Sequence, residues 1–168
     1  RNIIDSQTEN RIAITSESSS PLKFVDLKSL IERISKQLSG YGINCENETL
    51  HAFEVVGFKG KIVHINDLIQ NPKQLNNYQV FAIPGGFSYG DDTGSGNAMA
   101  KKIMTNFYDQ LIDFSLKDKL IIGICNGCQI LINLGLVPSL NKKDPEVAMI
   151  ENKSGSYECR WVDVKVSN

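Results

Sequence analysis

The sequence predicts an α/β domain built on a parallel sheet with helices against both faces. Three observations predict it. Short apolar runs at 61–65, 78–83 and 119–124 alternate along the chain with stretches of helical apolar spacing, the rhythm of strand, crossover and strand. Two of those runs lead straight into glycine-bearing turns, Pro84-Gly85-Gly86 and Gly123-Ile124-Cys125, at the strand ends where such sheets carry their sites. The length, 168 residues, is enough for one domain with a real core.

The elements follow in order. Residues 1–21 are polar apart from a strand-like island at 11–15, and 16–21 is a loop by composition. Leu27, Leu30, Ile31, Ile34 and Leu38 recur at helical spacing, which predicts an amphipathic helix over 24–38 that packs on the core. Ser39-Gly40-Tyr41-Gly42 closes it. Asn47 is placed to cap a second helix, 48–56. Residues 61–65 alternate like a strand, and Asn66-Asp67 opens a short helical turn. Tyr78 to Ile83 is a strand. Met99, Ile103, Phe107 and Leu111 mark one helix over 98–114. A strand at 119–124 then leads to a helix reaching about Leu134, stopped by Gly135-Leu136-Val137-Pro138. Residues 161–166 alternate apolar and polar and read as a last strand. The chain starts at Arg1 rather than Met, and nothing follows that strand. The expectation is therefore a piece of a longer polypeptide, its domain incomplete at the C-terminus.

Composition excludes several classes. With 41% hydrophobic residues and a formal net charge of -1, the chain has no electrostatic footprint for nucleic acid or anionic membrane. Its apolar runs fall far short of a bilayer span, and the polar N-terminus does not read as a signal peptide. Cys45, Cys125, Cys128 and Cys159 are irregularly spaced, as expected of reduced thiols in a cytoplasmic protein.

The chemistry concentrates in Lys119-Leu-Ile-Ile-Gly-Ile-Cys-Asn-Gly-Cys-Gln-Ile-Leu131. An apolar run meets Cys125, with Gly123 and Gly127 two residues to either side, and a helical segment follows. That is the pattern of a nucleophile elbow, in which strand and helix crowd each other and a Cβ at either glycine would collide. The cysteine would stand at a helix N-terminus, where N–H groups favour negative charge. A redox dithiol with Cys128 and a zinc site fit less well: the first expects an earlier position in a thioredoxin-like unit, the second needs paired donors. Cys128, one helical turn on, reads as a buried core cysteine. The second cluster is Pro84-Gly-Gly-Phe-Ser-Tyr-Gly-Asp-Asp-Thr-Gly-Ser-Gly96. It is either a flexible loop or a backbone-lined anion or oxyanion cradle. No Gly-Lys-Ser/Thr follows, so it is not a phosphate-binding P-loop. His51 and His64 are the only histidines. Structural roles suit both better than that of a base for the thiol, so the residues supply a nucleophile and a cradle without an evident base.

Gly123-Ile-Cys-Asn-Gly-Cys-Gln129 resembles the Gly-x-Cys-x-Gly-x-Gln signature of class I (triad) glutamine amidotransferases. Pro84-Gly-Gly-Phe-Ser-Tyr-Gly-Asp91 is similar to the corresponding string in the amidotransferase part of phosphoribosylformylglycinamidine synthases. Gly42-Ile-Asn-Cys-Glu-Asn-Glu48 resembles the segment after that family's first strand, and 152–160 resembles the strand segment after its elbow helix. The resemblance spans about 34–168 and implies a flavodoxin-like three-layer sandwich with a mostly parallel sheet. It divides the chain into 1–30, a linker or the tail of a preceding domain, and 31–168, a partial amidotransferase domain. It also implies a role for each matching residue. Cys125 attacks the carboxamide of glutamine, backbone N–H groups of Asn126 and of Gly86 or Phe87 hold the oxyanion beside Gly85, and Gln129 seats the substrate. Ammonia would pass to a synthetase domain or subunit that makes formylglycinamidine ribonucleotide in purine synthesis. ATP and magnesium would belong to that synthetase, leaving this domain without cofactor or metal.

Two departures stand out. The family's His and Glu partners lie downstream of the last strand seen here, so the isolated piece is expected to be weak or inactive. The family also has a strand directly before Gly42, where helical spacing predicts a helix. Either 34–38 is that strand, or 11–15 supplies it. Outside this family, the same elbow suits a related cysteine hydrolase, a non-catalytic amidotransferase-like regulatory module or, more remotely, a flavin-binding module.

Overall fold

The computed structural model describes residues 12–14, 22–23, 34–117, 119–138 and 145–163. Strands β1 (Ile12–Ile14) and β2 (Leu22–Lys23) form an antiparallel pair of their own. The main sheet holds β3 (Ile34–Ser39), β4 (Lys59–His64), β5 (Val80–Ile83) and β6 (Leu120–Gly123), in the order β4-β3-β5-β6 and parallel throughout. The connections are α1 (Glu46–Val55), α2 (Ile65–Gln70), a 3₁₀ turn (Pro72–Asn77), a second (Ser88–Asp91), α3 (Asn97–Asn106) and α4 (Tyr108–Ser115). After β6 comes α5 (Asn126–Asn133). This strand order is that of a flavodoxin-like sheet, with its switch point between β3 and β5.

The helix expected over 24–38 is corrected at its C-terminal end. Residues 34–39 are the strand flanked by β4 and β5, and the rest of that range lies outside the described residues. Of the two alternatives for the first strand, 34–38 is the one in the main sheet. The helical spacing misled because a strand flanked on both sides and covered on both faces loses its two-residue period. Ser35, Lys36, Gln37 and Leu38 are all buried.

The two faces are unequal. Side chains alternate across a strand, so Leu38 lies opposite Ser35 and Gln37. On the Leu38 side, the core joins Phe81 and Ile83 to Met99, Ile103, Phe107, Leu111, Ile130 and Leu134. On the other side α1 comes so close that a Cβ on Gly60 would collide with the Leu50 side chain and stand 3.2 Å from Gln37 Oε1 and 3.3 Å from Ser35 Oγ. Gln37 Nε2 donates to Ser35 Oγ at 2.9 Å.

Other boundaries moved for local reasons. The helix placed at 48–56 runs Glu46–Val55, with Cys45 rather than Asn47 at its N-cap. There the Cys45 carbonyl accepts both Thr49 N–H at 3.0 Å and Thr49 Oγ1 at 2.7 Å. The single helix expected over 98–114 is two, bent at Phe107 (φ -154°, ψ 28°). Hydrogen bonds from Phe107 N to Ile103 O and from Leu111 N to Phe107 O bridge the bend at 3.0 and 3.2 Å. The apolar spacing therefore runs on through the break, and Phe107 stays 1% exposed. No strand forms over 152–163, where Trp161 and Tyr157 are exposed. Alternation alone does not make a strand without a neighbour to complete its ladder. Residues 164–166 lie outside the described part. Among the described residues no helix is long and apolar enough to cross a membrane.

Candidate active site

Three turns meet at the carboxyl ends of the strands. The turn after β3 and the turn after β5 are sewn together by a short antiparallel bridge between Ile43 and Gly86. Asn44 N and Cys45 N donate to Gly85 O at 3.2 and 3.3 Å, and Phe87 N donates to Gly42 O at 2.9 Å. Glycine is needed here for space as well as conformation. Gly86 has φ 144°, and a Cβ on it would collide with the Gly42 carbonyl.

The third turn is the elbow. Cys125 lies between β6 and α5, at the N-cap of α5, and it is exposed. Its backbone, φ 53° and ψ -113°, is a left-handed conformation that a residue with a Cβ resists by about 1–3 kcal/mol. The glycines anticipated two residues to either side have the anticipated reason. A Cβ on Gly123 would lie 2.5 Å from Gly127 O, and one on Gly127 would collide with the carbonyl of Ile83. Strand, helix and the end of β5 are thus in backbone contact, and the left-handed Cys125 stands at the turn between them.

The turn after β5 lies directly beside the elbow. A Cβ built on Gly85 would be 3.4 Å from Cys125 Cβ and 3.6 Å from Cys45 Sγ. Ile124 N donates to Ile83 O at 3.1 Å. Phe87 is a solvent-exposed side chain whose own N–H is spent on Gly42. The amides of Gly86 and Asn126 have no acceptor among the described residues. Of the two candidates for a donor from this turn, Gly86 is therefore the one with a free N–H. Asn126 is fully buried and Gln129 half-buried; Asn126 Nδ2 donates to Gln129 Oε1 at 2.9 Å.

The other residues singled out in the sequence fall elsewhere. His64 caps α2, its Nδ1 accepting Asn66 N–H at 3.2 Å, and its ring leans on Tyr41 at 5.5 Å. His51 is exposed on α1. Cys128 is half-buried, and Cys45, Cys125, Cys128 and Cys159 are all free thiols. Among the described residues no three His, Cys, Asp or Glu side chains converge as metal ligands would. Two side chains beside the site were given no role in the sequence, Cys45 and Asp91. Their signal was membership of the 42–48 and 84–91 segments, which the topology brings to the same crevice.

A family profile described as a CobB/CobQ-like glutamine amidotransferase domain matches residues 38–168. The phosphoribosylformylglycinamidine synthase subunit PurQ of Methanococcus maripaludis is 54% identical over 130 residues, which are 76% of this chain and 48% of that protein. The corresponding subunit of Dehalococcoides mccartyi is 41% identical over 126 residues, 75% of this chain and 49% of its own length. Among solved structures, one titled "Structure of PurLQS from Thermotoga maritima" matches with a TM-score of 0.62 and 32% identity, covering 77% of this chain and 53% of that one. The chain thus spans about half the length of the curated relatives it matches.

Proposed function

The chain belongs to the CobB/CobQ-like glutamine amidotransferase domain family, and on that footing we propose that it releases ammonia from glutamine for a synthetase that makes formylglycinamidine ribonucleotide. The observation that carries the reading is the exposed Cys125 at a strained elbow, next to a turn whose Gly86 amide has no acceptor among the described residues. In the proposed reaction the Cys125 sulfur adds to the carboxamide carbon of glutamine. The carbonyl oxygen takes up the negative charge, accepting from Gly86 N–H and Asn126 N–H. Collapse of that adduct breaks the C–N bond; the nitrogen leaves as ammonia after taking the thiol proton, and a glutamyl thioester remains. Water then cleaves the thioester, releasing glutamate and restoring the thiol. Each backbone donor is worth roughly 10²–10³ in rate.

Gly85 keeps the space above Cys125 open, since any side chain there would start 3.4 Å from Cys125 Cβ. Gln129 is proposed to seat the substrate, and Phe87 to shape the mouth of the site. The proton relay is proposed to be a histidine outside this sequence, since His64 is committed to its cap and His51 is exposed on α1. The relatives' names support the destination of the ammonia. On this reading ATP and magnesium belong to the synthetase, residues 31–168 are the amidotransferase portion, 1–30 is a linker or tail, and the work is cytoplasmic.

The test is covalent labelling of the complete protein with a diazoketone analogue of glutamine. We expect one adduct at Cys125, suppressed by glutamine and lost in Cys125→Ser. An adduct at another residue, or full activity in Cys125→Ser, overturns the assignment.

A further inference from the structure

The two proposed oxyanion donors hang from different elements, Gly86 from the turn after β5 and Asn126 from the start of α5. Their spacing has to be fixed by something between those elements. We propose that the side chain of Asn126, clamped to Asp91, is the positioning group that fixes it. This rests on the amidotransferase reading above but adds to it, since that reading uses only the Asn126 backbone.

Asn126 is 0% exposed and all of its amide is used. Its Oδ1 accepts Ser88 N–H at 3.1 Å, two residues beyond Gly86. Its Nδ2 donates to Asp91 Oδ1 at 3.2 Å and to Gln129 Oε1 at 2.9 Å. Asp91 is itself held, its Oδ2 accepting from Ser95 Oγ at 3.1 Å. Between Ser88 and Asp91 the backbone makes a tight turn through three consecutive left-handed residues, Tyr89 at φ 55°, Gly90 at 66° and Asp91 at 56°. Two of the three carry side chains that disfavour this conformation, so external bonds have to hold the turn. Asn126 grips it at both ends, at Ser88 and at Asp91. The residue that follows the nucleophile thus supplies one donor from its backbone and fixes the other through its side chain.

The chemistry of the position selects a carboxamide. Ser88 N–H needs an acceptor and the Asp91 carboxylate needs a donor, and an amide offers both at once. Aspartate there would set two carboxylates against each other. Leucine would leave Ser88 N–H and Asp91 Oδ1 without these partners, in a residue that is buried and one that is half-buried.

The experiment measures glutamine hydrolysis across pH in the complete protein with its synthetase, alongside iodoacetamide alkylation of Cys125, which needs no oxyanion site. For Asn126→Asp we expect the plateau kcat to fall roughly 10²-fold, with a much smaller change in KM and with alkylation retained. The pH profile separates that loss from any change in thiol ionisation. The double variant N126D/D91N exchanges the two groups: the carboxylate at 126 still accepts from Ser88, and the amide at 91 donates to it. We expect it to recover at least about tenfold over N126D, as coupled partners do. Asp91→Gly, which keeps the left-handed turn and removes the anchor, should lose about tenfold in kcat and serves if N126D does not fold. The clamp is overturned if N126D or D91G keeps a plateau kcat within about threefold of wild type, or if the double variant is folded and no faster than N126D. A wild-type protein that leaves glutamine intact overturns the amidotransferase reading instead.

Discussion

Gly127→Ala drives a methyl group into the carboxyl end of β5. The new Cβ would overlap the Ile83 carbonyl oxygen, lie 2.7 Å from the Ile83 carbonyl carbon and 3.0 Å from Pro84 O. All three obstacles are backbone, so no side-chain rotation relieves them. Carbon atoms rest at about 3.5 Å or more, so the 2.7 Å contact alone requires α5 to slide from β5 by at least roughly 0.8 Å, and clearing the carbonyl oxygen requires more. Overpacking of this kind costs typically about 1–3 kcal/mol, which for a domain of this size lowers Tm by about 2–12 °C. The slide has a second consequence, because Cys125 and the Asn126 amide ride on α5 while Gly86 stays with β5. Misplacing reacting groups by about 1 Å can cost 10²-fold in rate. Thermal unfolding followed by circular dichroism reads the first effect, and glutamine hydrolysis by the complete protein reads the second. An alanine variant with an unchanged Tm and a kcat within about threefold of wild type would refute the view that strand, elbow and helix meet backbone to backbone.

Two further outcomes are expected. Lys36 is 1% exposed, its ammonium over the Tyr78 ring at 4.4 Å and hydrogen-bonded to Gln74 Oε1. Burial first, then the charge of Lys61, lower its pKa to about 8. The folded chain therefore gives up this proton at lower pH than the unfolded chain does, and stability should rise between about pH 8 and 10. Lys36→Met should flatten that rise and add about 1 kcal/mol at pH 7; urea titrations at several pH values check it, and a variant with an undiminished rise refutes it. Cys125→Gly relaxes the left-handed elbow, so it should be more stable than Cys125→Ala by about 1 kcal/mol, while both variants lose alkylation at position 125. Equal stability of the two variants would show that the elbow carries no strain.

The turns at the site were legible because glycine leaves a mark wherever backbones touch. Gly123 and Gly127 stand in the sequence where the fold brings β5, β6 and α5 into contact, Gly85 where the turn after β5 faces the elbow, and Gly86 where that turn meets the turn after β3. The candidate nucleophile was legible for the same reason, as the cysteine between an apolar strand and a helix with glycine two residues to either side. The alternation of strands and helices was enough to set the parallel sheet.

What the sequence could not decide is what depends on neighbours. The run at 34–38 carries helical spacing, and only its place between β4 and β5 makes it a strand, since flanking partners bury Ser35, Lys36 and Gln37 whatever their polarity. The spacing through Phe107 was equally blind to the bend, because its hydrogen bonds persist across it. The alternating run 161–166 forms no strand over its described residues, 161–163, because pairing depends on a neighbouring strand as well as on the run itself. The grip of Asn126 on Ser88 and Asp91 joins residues 38 and 35 positions apart. One chain segment fixes which groups are reactive and where the backbone can turn; which groups meet is set by the sheet order, a long-range outcome that no local pattern encodes.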